Sequence, residues 1–276
     1  MHAEHTLTGN IHRHPAFESR ILGNRRDVLV YLPRGYLRTV RRRYPVIYFN
    51  DGQNIFDAAT SFAGVEWGVD ETAQLLIRKR LIEPIIIVAV ANIGEERVHE
   101  YTPTPGPIFE SALEERRSRG AAKQYGQFLI EELKPFIDRK YRTKREAEFT
   151  GLAGSSMGGL LTLALGLWFP DFFRRLVVMS PAVWWDDEAI LRMVEALDDK
   201  LPLKIWLDTG TNETGWERVR KLCARLIEKG WRPSDDLEFC EAEGADHNET
   251  AWGARVEEAL RFLYPPAHRG GTERAE

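Results

Sequence analysis

The sequence has few cysteines, no long apolar segment and no excess of basic residues. Its two cysteines, Cys223 and Cys240, lie in a helix-like and a strand-like segment, so we expect two buried thiols rather than a disulfide. The longest apolar run, residues 85–91, is much shorter than the about 20 residues that cross a membrane as a helix. The formal net charge of -4 gives no reason to expect nucleic acid or an anionic membrane as a partner.

Signals for export and for metal binding are also missing. The first residues contain neither a basic start nor an apolar stretch, which is atypical of a secretory signal and predicts a cytoplasmic protein. The cysteines and histidines do not have the spacing of metal ligands, so we predict no metal site. Four histidines lie close to the N-terminus, and we expect them to be exposed rather than to bind metal: His2, His5, His12 and His14.

Strand-like segments dominate the first part of the chain and then alternate with helical segments. Residues 9–14, 18–22 and 27–32 are separated by turn signals and predict antiparallel strands at a sheet edge. Later apolar runs rich in β-branched residues are typical of central parallel strands, buried on both faces: 46–49, 85–91, 149–153, 176–179 and 203–207. Helical segments separate most of these runs: 69–80, 123–140, 160–168, 188–197 and 216–229. A last strand at 237–241 and a last helix at 248–263 close the pattern.

This alternation predicts an α/β fold with a mostly parallel central sheet, antiparallel N-terminal strands and helices on both faces. The 276 residues contain no repeat and no internal linker, so we expect a single domain over residues 1–264. Residues 265–276 are polar and rich in proline and glycine, which predicts a disordered tail. Residues 103–120 form an irregular stretch, which is typical of a functional or mobile loop.

The most informative local pattern is Gly154-Ser155-Ser156-Met157-Gly158, which lies between a strand-like run and a helical run. Glycines at this spacing permit a sharp strand-to-helix turn, because neighbouring backbone can pass close to the central residue. Such a turn exposes the central side chain at the edge of the sheet. The spacing makes that residue Ser156 rather than Ser155. The pattern therefore predicts a nucleophilic serine at position 156.

A serine nucleophile needs a histidine base within hydrogen-bond reach, and the base needs a carboxylate partner. In doubly wound hydrolases the histidine follows the serine along the chain. Only His247 and His268 follow Ser156, and His268 lies in the predicted tail. His247 lies between the last predicted strand and the last predicted helix. We therefore assign the role of base to His247.

Two carboxylates compete for the role of triad acid in the loop after residues 203–207. Asp208 would stand at the strand end, where it can instead brace the turn by binding backbone amides. Glu213 lies further out, past a glycine-containing turn, and can reach sideways to His247. We favour Glu213 and keep Asp208 as the alternative. Asp246 adjoins His247 but would point the wrong way to orient the ring.

Acyl transfer also requires N–H donors for the tetrahedral oxyanion. The Met157 amide qualifies because it begins the predicted helix, where the helix dipole adds positive potential. The second donor is expected from the loop after an earlier strand. Here that loop contains Asp51-Gly52-Gln53, in which the glycine lets the backbone turn toward the site. We choose the Gln53 amide as the second donor.

Several of these segments resemble the putative esterase family, and the resemblance covers residues 18–264. That family groups feruloyl and acetyl-xylan esterases, enterochelin esterases, S-formylglutathione hydrolase and mycolyltransferases. The resemblance rests on the Ser156 turn together with further motifs: the oxyanion-loop segment 48–57, Glu66-Trp67-Gly68-Val69-Asp70, Arg97 with residues 100–103, the Ser-Pro-Ala-Val-Trp-Trp run at 180–185 and Gly210-Thr211-Asn212-Glu213.

The resemblance implies an α/β-hydrolase fold and a catalytic triad whose acid stands at the position of Glu213. Related feruloyl esterases usually carry aspartate at that position, so glutamate is a departure from the family pattern. A second departure is Asn50, because many relatives have histidine before the glycine-containing turn.

The resemblance also suggests where substrate binds. The run at 180–185 is similar to one in cytoplasmic siderophore esterases, which makes Trp184 and Trp185 candidates for an aromatic wall of the pocket. Packing in the core or at its rim is the alternative for both tryptophans. Arg97 is a candidate ligand for a carboxylate or catecholate of the substrate. Its alternative role is structural, as the ion-pair partner of one of three acidic residues: Glu66, Asp70 or Glu100.

The sequence thus predicts a serine carboxylic ester hydrolase that acts on a small-molecule ester through an acyl-enzyme, without a metal or organic cofactor. The alternatives on the same fold are an acyltransferase and a siderophore esterase of the enterochelin type. A non-catalytic binding protein that kept the fold is a third alternative, and the intact serine, histidine and acid positions argue against it. The identity of the ester and the oligomeric state are left open.

Overall fold

The computed structural model describes residues 5–108 and 116–266, and eight of the ten strands in these ranges form one sheet. The strands described, in chain order, are β1 (Asn10–Ser19), β2 (Asn24–Leu32), β3 (Val46–Asn50), β4 (Ile86–Val90), β5 (Gly106–Ile108), β6 (Arg116–Ser118), β7 (Thr150–Ser155), β8 (Arg175–Met179), β9 (Lys204–Gly210) and β10 (Leu237–Ala242). Their order across the sheet is β1-β2-β4-β3-β7-β8-β9-β10, and β5 pairs with β6 in a separate hairpin.

The sheet is parallel from β4 to β10, and β1 and β2 join it as antiparallel strands. The predicted fold class is therefore confirmed. Every residue of β3 and β4 is buried, as expected of central strands that are covered on both faces. The carboxyl ends of the parallel strands meet at one edge, where α/β proteins place their ligand sites.

Helices pack on both faces of the sheet. They are α1 (Val69–Lys79), α2 (Arg97–Tyr101), α3 (Ala122–Gln127), α4 (Lys134–Lys140), α5 (Met157–Trp168), α6 (Ala189–Glu195), α7 (Glu217–Glu228) and α8 (Glu249–Leu263). Alternate residues of β3 point to opposite faces. Val46 and Tyr48 belong to the core that contains α3 to α7, whereas Ile47 and Phe49 belong to the core that contains α1 and α8.

The N-terminal strands differ from the prediction. The prediction of separate strands over 9–14 and 18–22 was wrong, because the chain forms the single strand β1 with an irregularity between His14 and Phe17. Ala16 has a φ of 50° at this bulge, and its amide donates to Oδ1 of Asp27 at 2.8 Å. A bulge interrupts the ladder of hydrogen bonds, so β1 accommodates Pro15 at the place where a turn was expected.

Some short elements had no strong local signal. A π-helical turn at Phe128–Leu133 joins α3 and α4 within the predicted helix 123–140. Helix α2 was not predicted, and the β5–β6 hairpin occupies part of the predicted irregular stretch 103–120. Of the predicted tail, residues 267–276 lie outside the described residues. The single domain over residues 1–264 stays a prediction.

Both cysteines carry free thiols, of which Cys223 is buried and Cys240 is half-buried. Burial raises the pKa of the Cys223 thiol to about 11, so this thiol is protonated at neutral pH. Within the two described ranges, no helix combines the length and the apolar content needed to cross a membrane.

Asp70 is a fully buried carboxyl group in the first turn of α1. Its Oδ2 accepts hydrogen bonds from N and Oγ1 of Thr8, at 2.8 and 2.9 Å. Burial raises the pKa of Asp70 to about 8, and the neighbouring Glu71 acts in the same direction. An aspartate in an unfolded chain has a pKa of about 3.9, so the folded protein binds this proton more tightly. The resulting stabilisation is present in acid and is lost as the pH rises through about 8.

Replacing Asp70 by asparagine removes this titration and keeps an oxygen acceptor for Thr8. We expect the melting temperature of the native protein to fall relative to Asp70→Asn between about pH 6 and about pH 9. A fall of about 3 °C corresponds to roughly 1 kcal/mol for a chain of this size. Thermal unfolding of both proteins at each pH measures the difference between their melting temperatures. The other titratable groups are the same in both proteins, so their contributions cancel in this difference. A difference that stays constant with pH would contradict the raised pKa of Asp70.

Candidate active site

Ser156 occupies a sharp turn between the end of β7 and the start of α5. Its backbone angles are φ 56° and ψ -122°, a combination that residues other than glycine rarely adopt. Hydrogen bonds hold this conformation. The Ser156 amide donates to the Met179 carbonyl, and the Ser156 carbonyl accepts from the Ala182 amide, both at 3.0 Å. Ser156 is partly exposed, whereas Ser155 is buried at the strand end.

Two glycines make this turn sterically possible. A Cβ atom on Gly154 would lie 2.6 Å from the carbonyl oxygen of Gly158. A Cβ atom on Gly159 would lie 2.7 Å from the carbonyl oxygen of Met179. Both separations are too short for a carbon and an oxygen that are not bonded. Only glycine at these positions lets the strand and the helix come this close.

His247 and Glu213 form a hydrogen-bonded pair that joins two loops. Nδ1 of His247, between β10 and α8, lies 2.8 Å from Oε2 of Glu213, in the loop after β9. Because an ionised carboxylate only accepts, Nδ1 carries the proton, which leaves Nε2 as the basic nitrogen. The His247 ring also packs edge-on against Trp252, with 4.9 Å between the centroids. These two contacts set both the tautomer and the orientation of the ring.

Ser156 and His247 line the same open cavity, which has a volume of about 550 Å³. The His247 side chain is 44% exposed and the Glu213 side chain is 6% exposed, so the imidazole faces solvent with the carboxylate buried beneath it. The structure therefore brings the predicted serine, histidine and glutamate together at the carboxyl edge of the sheet.

The Glu213 carboxylate is held in its ionised form by its partners. Burial opposes ionisation, but hydrogen bonds from His247, Ser180 and the Gly210 amide lower the pKa of Glu213 below its ordinary value. The Ser180 hydroxyl and the Gly210 amide donate to Oε1 at 2.6 and 2.8 Å. A carboxylate that keeps its charge can stabilise an imidazolium when the histidine takes a proton.

Asp208, the alternative acid, lies fully buried at the end of β9 and makes different contacts. Its carboxylate accepts hydrogen bonds from three groups: Nε1 of Trp206 at 2.7 Å, Nη2 of Arg255 at 3.0 Å and the amide of Ser180 at 3.2 Å. Burial raises the pKa of Asp208. Asp246 also lies apart from the pair, and its Oδ1 accepts from Nδ2 of Asn212 at 3.2 Å. Of the carboxylates considered, Glu213 is the one placed against the His247 ring.

The two predicted oxyanion donors lie at the starts of helical turns. Met157 is the first residue of α5, and Gln53 is the middle residue of a 3-10 turn, Gly52–Asn54, that follows β3. Amides at the start of a helix have no acceptor within it, so they are available to a ligand. The 3-10 turn requires glycine, because a Cβ atom on Gly52 would lie 2.4 Å from the backbone nitrogen of Val90.

Arg97 forms a two-pronged ion pair with Asp51 at the wall of the cavity. Its Nε and Nη2 lie 2.7 and 2.8 Å from the two carboxylate oxygens, and its guanidinium lies 5.1 Å from the centre of the Tyr101 ring. The acidic partners considered from the sequence were therefore wrong: Glu66, Asp70 and Glu100. Glu100 instead pairs with Arg26 at 2.6 Å. The Arg97 side chain remains 26% exposed to the cavity.

The two adjacent tryptophans have different environments. Trp184 is 47% exposed and borders a small depression that His247 and Glu213 also line. Trp185 is 2% exposed, and its indole N–H donates to the carbonyl of Thr104 at 3.1 Å. Of the two roles considered for Trp185, the structure therefore supports packing in the core and not a wall of the pocket.

Other residues at the site had little or no signal in the sequence. Phe62 lines the cavity and is 89% exposed. The only indication of its position in the sequence is that it is an aromatic residue in a glycine-containing loop. Nδ2 of Asn92 donates to Oδ1 of Asp51 at 2.6 Å, which joins the loops after β3 and β4. Asn50, the departure from the family pattern, donates from Nδ2 to Oγ1 of Thr162 in α5, at 3.1 Å.

A serine elbow and a histidine–carboxylate pair at the carboxyl edge of a mostly parallel sheet define a hydrolase of the α/β-hydrolase fold. The chain belongs to the putative esterase family, because the family model described as "Putative esterase" matches residues 19–263. The family resemblance is thus confirmed, and the protein is a carboxylic ester hydrolase.

Named relatives and solved structures agree with this family. The chain is 26% identical to the ferri-bacillibactin esterase BesA of Bacillus subtilis, over 94% of this chain and 93% of that protein. It is 28% identical to an endo-1,4-beta-xylanase/feruloyl esterase of Xylanibacter ruminicola, over 93% of this chain and 31% of that protein. The BES protein of Bacillus cereus superposes with a TM-score of 0.72 at 23% identity, covering 94% of this chain and 97% of that one. The enterobactin esterase FES of Shigella flexneri superposes with a TM-score of 0.74 at 20% identity, covering 94% and 60%.

The role of Glu213 can be tested with an isosteric amide. We expect Glu213→Gln to lower kcat/KM on aryl acetates by about 10³- to 10⁴-fold, because a neutral partner favours the wrong tautomer and does not stabilise the imidazolium. Asp246→Asn is the matched control, since it makes the same change beside His247 on a carboxylate that contacts Asn212. We expect the control to stay close to native activity. Similar losses in both variants would show that Glu213 has no special role.

Proposed function

We propose that the protein hydrolyses its ester through an acyl-enzyme, with Ser156 as nucleophile, His247 as general base and Glu213 as the acid. The observation that carries the proposal is the 2.8 Å contact between Nδ1 of His247 and Oε2 of Glu213, because His247 also lines the cavity that contains the partly exposed Ser156. The amides of Met157 and Gln53 are proposed as the oxyanion donors.

The proposed reaction proceeds in two halves. Ser156 Oγ attacks the ester carbonyl while Nε2 of His247 takes its proton, and the tetrahedral oxyanion binds the two amides. The imidazolium then protonates the leaving alcohol, and the acyl group stays on Ser156. Water, activated by the same nitrogen, attacks the acyl-enzyme and releases the acid. Side chains and backbone amides supply every group in this scheme, so the proposal includes no metal or organic cofactor.

Ser156→Ala tests the nucleophile, and Ser155→Ala is its matched control one residue away. We expect Ser156→Ala to lower kcat by more than about 10⁴-fold and to abolish labelling by a fluorophosphonate probe, because the triad acts as a unit. We expect Ser155→Ala to be labelled and to turn over ester. Substantial activity in folded Ser156→Ala, or labelling at Ser155, would refute the assignment.

Hydrolysis is favoured over transfer to an alcohol by the exposure of the base. The His247 side chain is 44% exposed at the open cavity, so water from the solvent reaches the ring without displacing a protein group. We therefore propose water as the second substrate and keep acyl transfer as the alternative.

A siderophore ester is the second candidate for the substrate class. Arg97 could bind anionic oxygens at the cavity wall, and the exposed rings of Phe62 and Trp184 could stack against aryl groups. The full-length match to a ferri-bacillibactin esterase supports this candidate, whereas the match to a feruloyl esterase supports a simple aryl ester.

A substrate panel distinguishes the two candidates. If the siderophore assignment holds, kcat/KM for a catecholate trilactone of the enterobactin type exceeds that for methyl ferulate by at least about 10-fold, which requires roughly 1.4 kcal/mol of added transition-state binding. Arg97→Gln is then expected to remove most of this preference while it changes the simple ester much less. A preference for methyl ferulate would assign the protein to simple aryl esters. Chromatography with added alcohols identifies any transfer product in the same assays.

The cytoplasmic location is also a proposal. The free thiols of Cys223 and Cys240 support it, because reducing compartments keep cysteines in this form.

A further inference from the structure

The Ser180 hydroxyl is buried beneath the catalytic loops and has three polar partners. It lies 2.6 Å from Oε1 of Glu213, and 3.0 Å from both Nε1 of Trp252 and Nη2 of Arg255. A hydroxyl has one proton and two lone pairs. The indole and the guanidinium are pure donors, so they occupy the lone pairs and the proton points to Glu213. The contacts thus fix the direction of this hydrogen bond.

The Glu213 carboxylate is consequently held at both oxygens. Oε1 accepts from the Ser180 hydroxyl and from the Gly210 amide, which leaves Oε2 for Nδ1 of His247. A glutamate has one more side-chain torsion than an aspartate, so it loses more rotamer freedom when it is ordered. The two donors on Oε1 supply the restraint that this longer side chain needs.

The charges around Glu213 are balanced by a second buried pair. Nη2 of Arg255 lies 3.0 Å from Oδ1 of Asp208 and 3.9 Å from Oε1 of Glu213. The Arg255 and Asp208 side chains are 5% and 0% exposed. In this low-dielectric setting Asp208 offsets the arginine charge, so the charge of Glu213 remains available to the histidine.

The other charged groups near the acid have their own partners. Arg218 borders the depression beside Glu213 and pairs with Glu188 at 3.5 Å. Asp246, which precedes the catalytic histidine, is bound by Asn212 at 3.2 Å. The electrostatic environment of the Glu213 carboxylate therefore depends mainly on the charges of Asp208 and Arg255.

We infer that Ser180, Asp208 and Arg255 are positioning residues, which fix the orientation and the effective charge of the triad acid. This inference rests on the proposed function. It gives Asp208, the rejected candidate for the acid, a role in the same reaction. It also gives the first residue of the Ser-Pro-Ala-Val-Trp-Trp run a role in orienting the triad rather than in binding substrate.

Substitutions of Ser180 and Asp208 are expected to shift the pH profile of kcat/KM in opposite directions. Ser180→Ala removes a donor from Glu213, which then attracts the imidazolium more strongly, so the acid limb moves to higher pH. Asp208→Asn leaves the Arg255 charge uncompensated beside Glu213, so the acid limb moves to lower pH. Shifts of about half a pH unit are expected for charges and hydrogen bonds at these distances. Ser180→Ala also lowers kcat by about 10-fold, because Glu213 is held less firmly.

Two further variants separate positioning from stability. Thr150→Val removes a buried hydroxyl that bonds the Glu146 carbonyl at 3.1 Å, at the start of β7. It is expected to lower the melting temperature without moving the pH profile. The double variant Asp208→Asn/Arg255→Met removes both charges, so its acid limb is expected close to the native position. This double variant also provides the charge test if Asp208→Asn alone does not fold.

The outcomes keep this inference distinct from the proposed function. If Ser156→Ala is inactive and unlabelled while folded Ser180→Ala and Asp208→Asn keep the native pH profile, the inference is overturned and the triad stands. Shifts in the same direction for both variants would also overturn it. An active Ser156→Ala would refute the proposed function itself. Circular dichroism and thermal unfolding of every variant confirm that folded proteins are compared.

Discussion

The candidate site depends on one strained residue, because the backbone of Ser156 is held at a φ of 56° between a buried strand and a buried helix. Such a conformation costs about 1–3 kcal/mol and persists only where the surroundings over-determine it. Here the conformation of Ser156 is fixed by the close packing of Gly154 against Gly158 and by the backbone hydrogen bonds of Ser156 to Met179 and Ala182. The same turn places the first amide of α5 beside the serine. A single backbone constraint thus positions both the proposed nucleophile and one proposed oxyanion donor.

The Ser156 turn also connects the proposed nucleophile to the proposed acid through hydrogen bonds. Its carbonyl accepts from the amide of Ala182, two residues after Ser180, whose hydroxyl binds Glu213. On the other side, a Cβ atom on Gly158 would lie 3.2 Å from Oδ2 of Asp51, which holds Arg97. The segments after β7, β8 and β9 are therefore joined by hydrogen bonds, and the loop after β3 packs closely against Gly158. A small displacement of any one of these loops would therefore change the geometry of the candidate site.

The sequence predicted those features of the fold and the site that follow from hydrophobic periodicity and from the spacing of motif residues. Alternating apolar strands and helices gave the sheet, and the glycine spacing selected Ser156 within the turn. The expected partners of Arg97 were wrong and the role of Trp185 was left open, because the sequence around a residue does not show which distant residues it contacts. Asp51 and Arg97 are 46 positions apart along the chain and meet only because β3 and β4 are neighbours in the sheet. The bulge in β1 was not predicted, because a proline in the sequence is compatible with both a bulge and a turn.

The proposal of a glutamate as the acid accounts for the polar groups that are buried around Glu213. An aspartate at the end of β9 is present, yet Asp208 is used to bind Arg255 and Trp206. In the proposed triad the acid is instead Glu213, further along the loop, whose longer side chain reaches His247 but has one more rotatable bond. A longer acid without restraint would sample several rotamers and orient the imidazole poorly. In this proposal the Ser180 hydroxyl and the Asp208–Arg255 ion pair supply the restraint that a glutamate at position 213 needs.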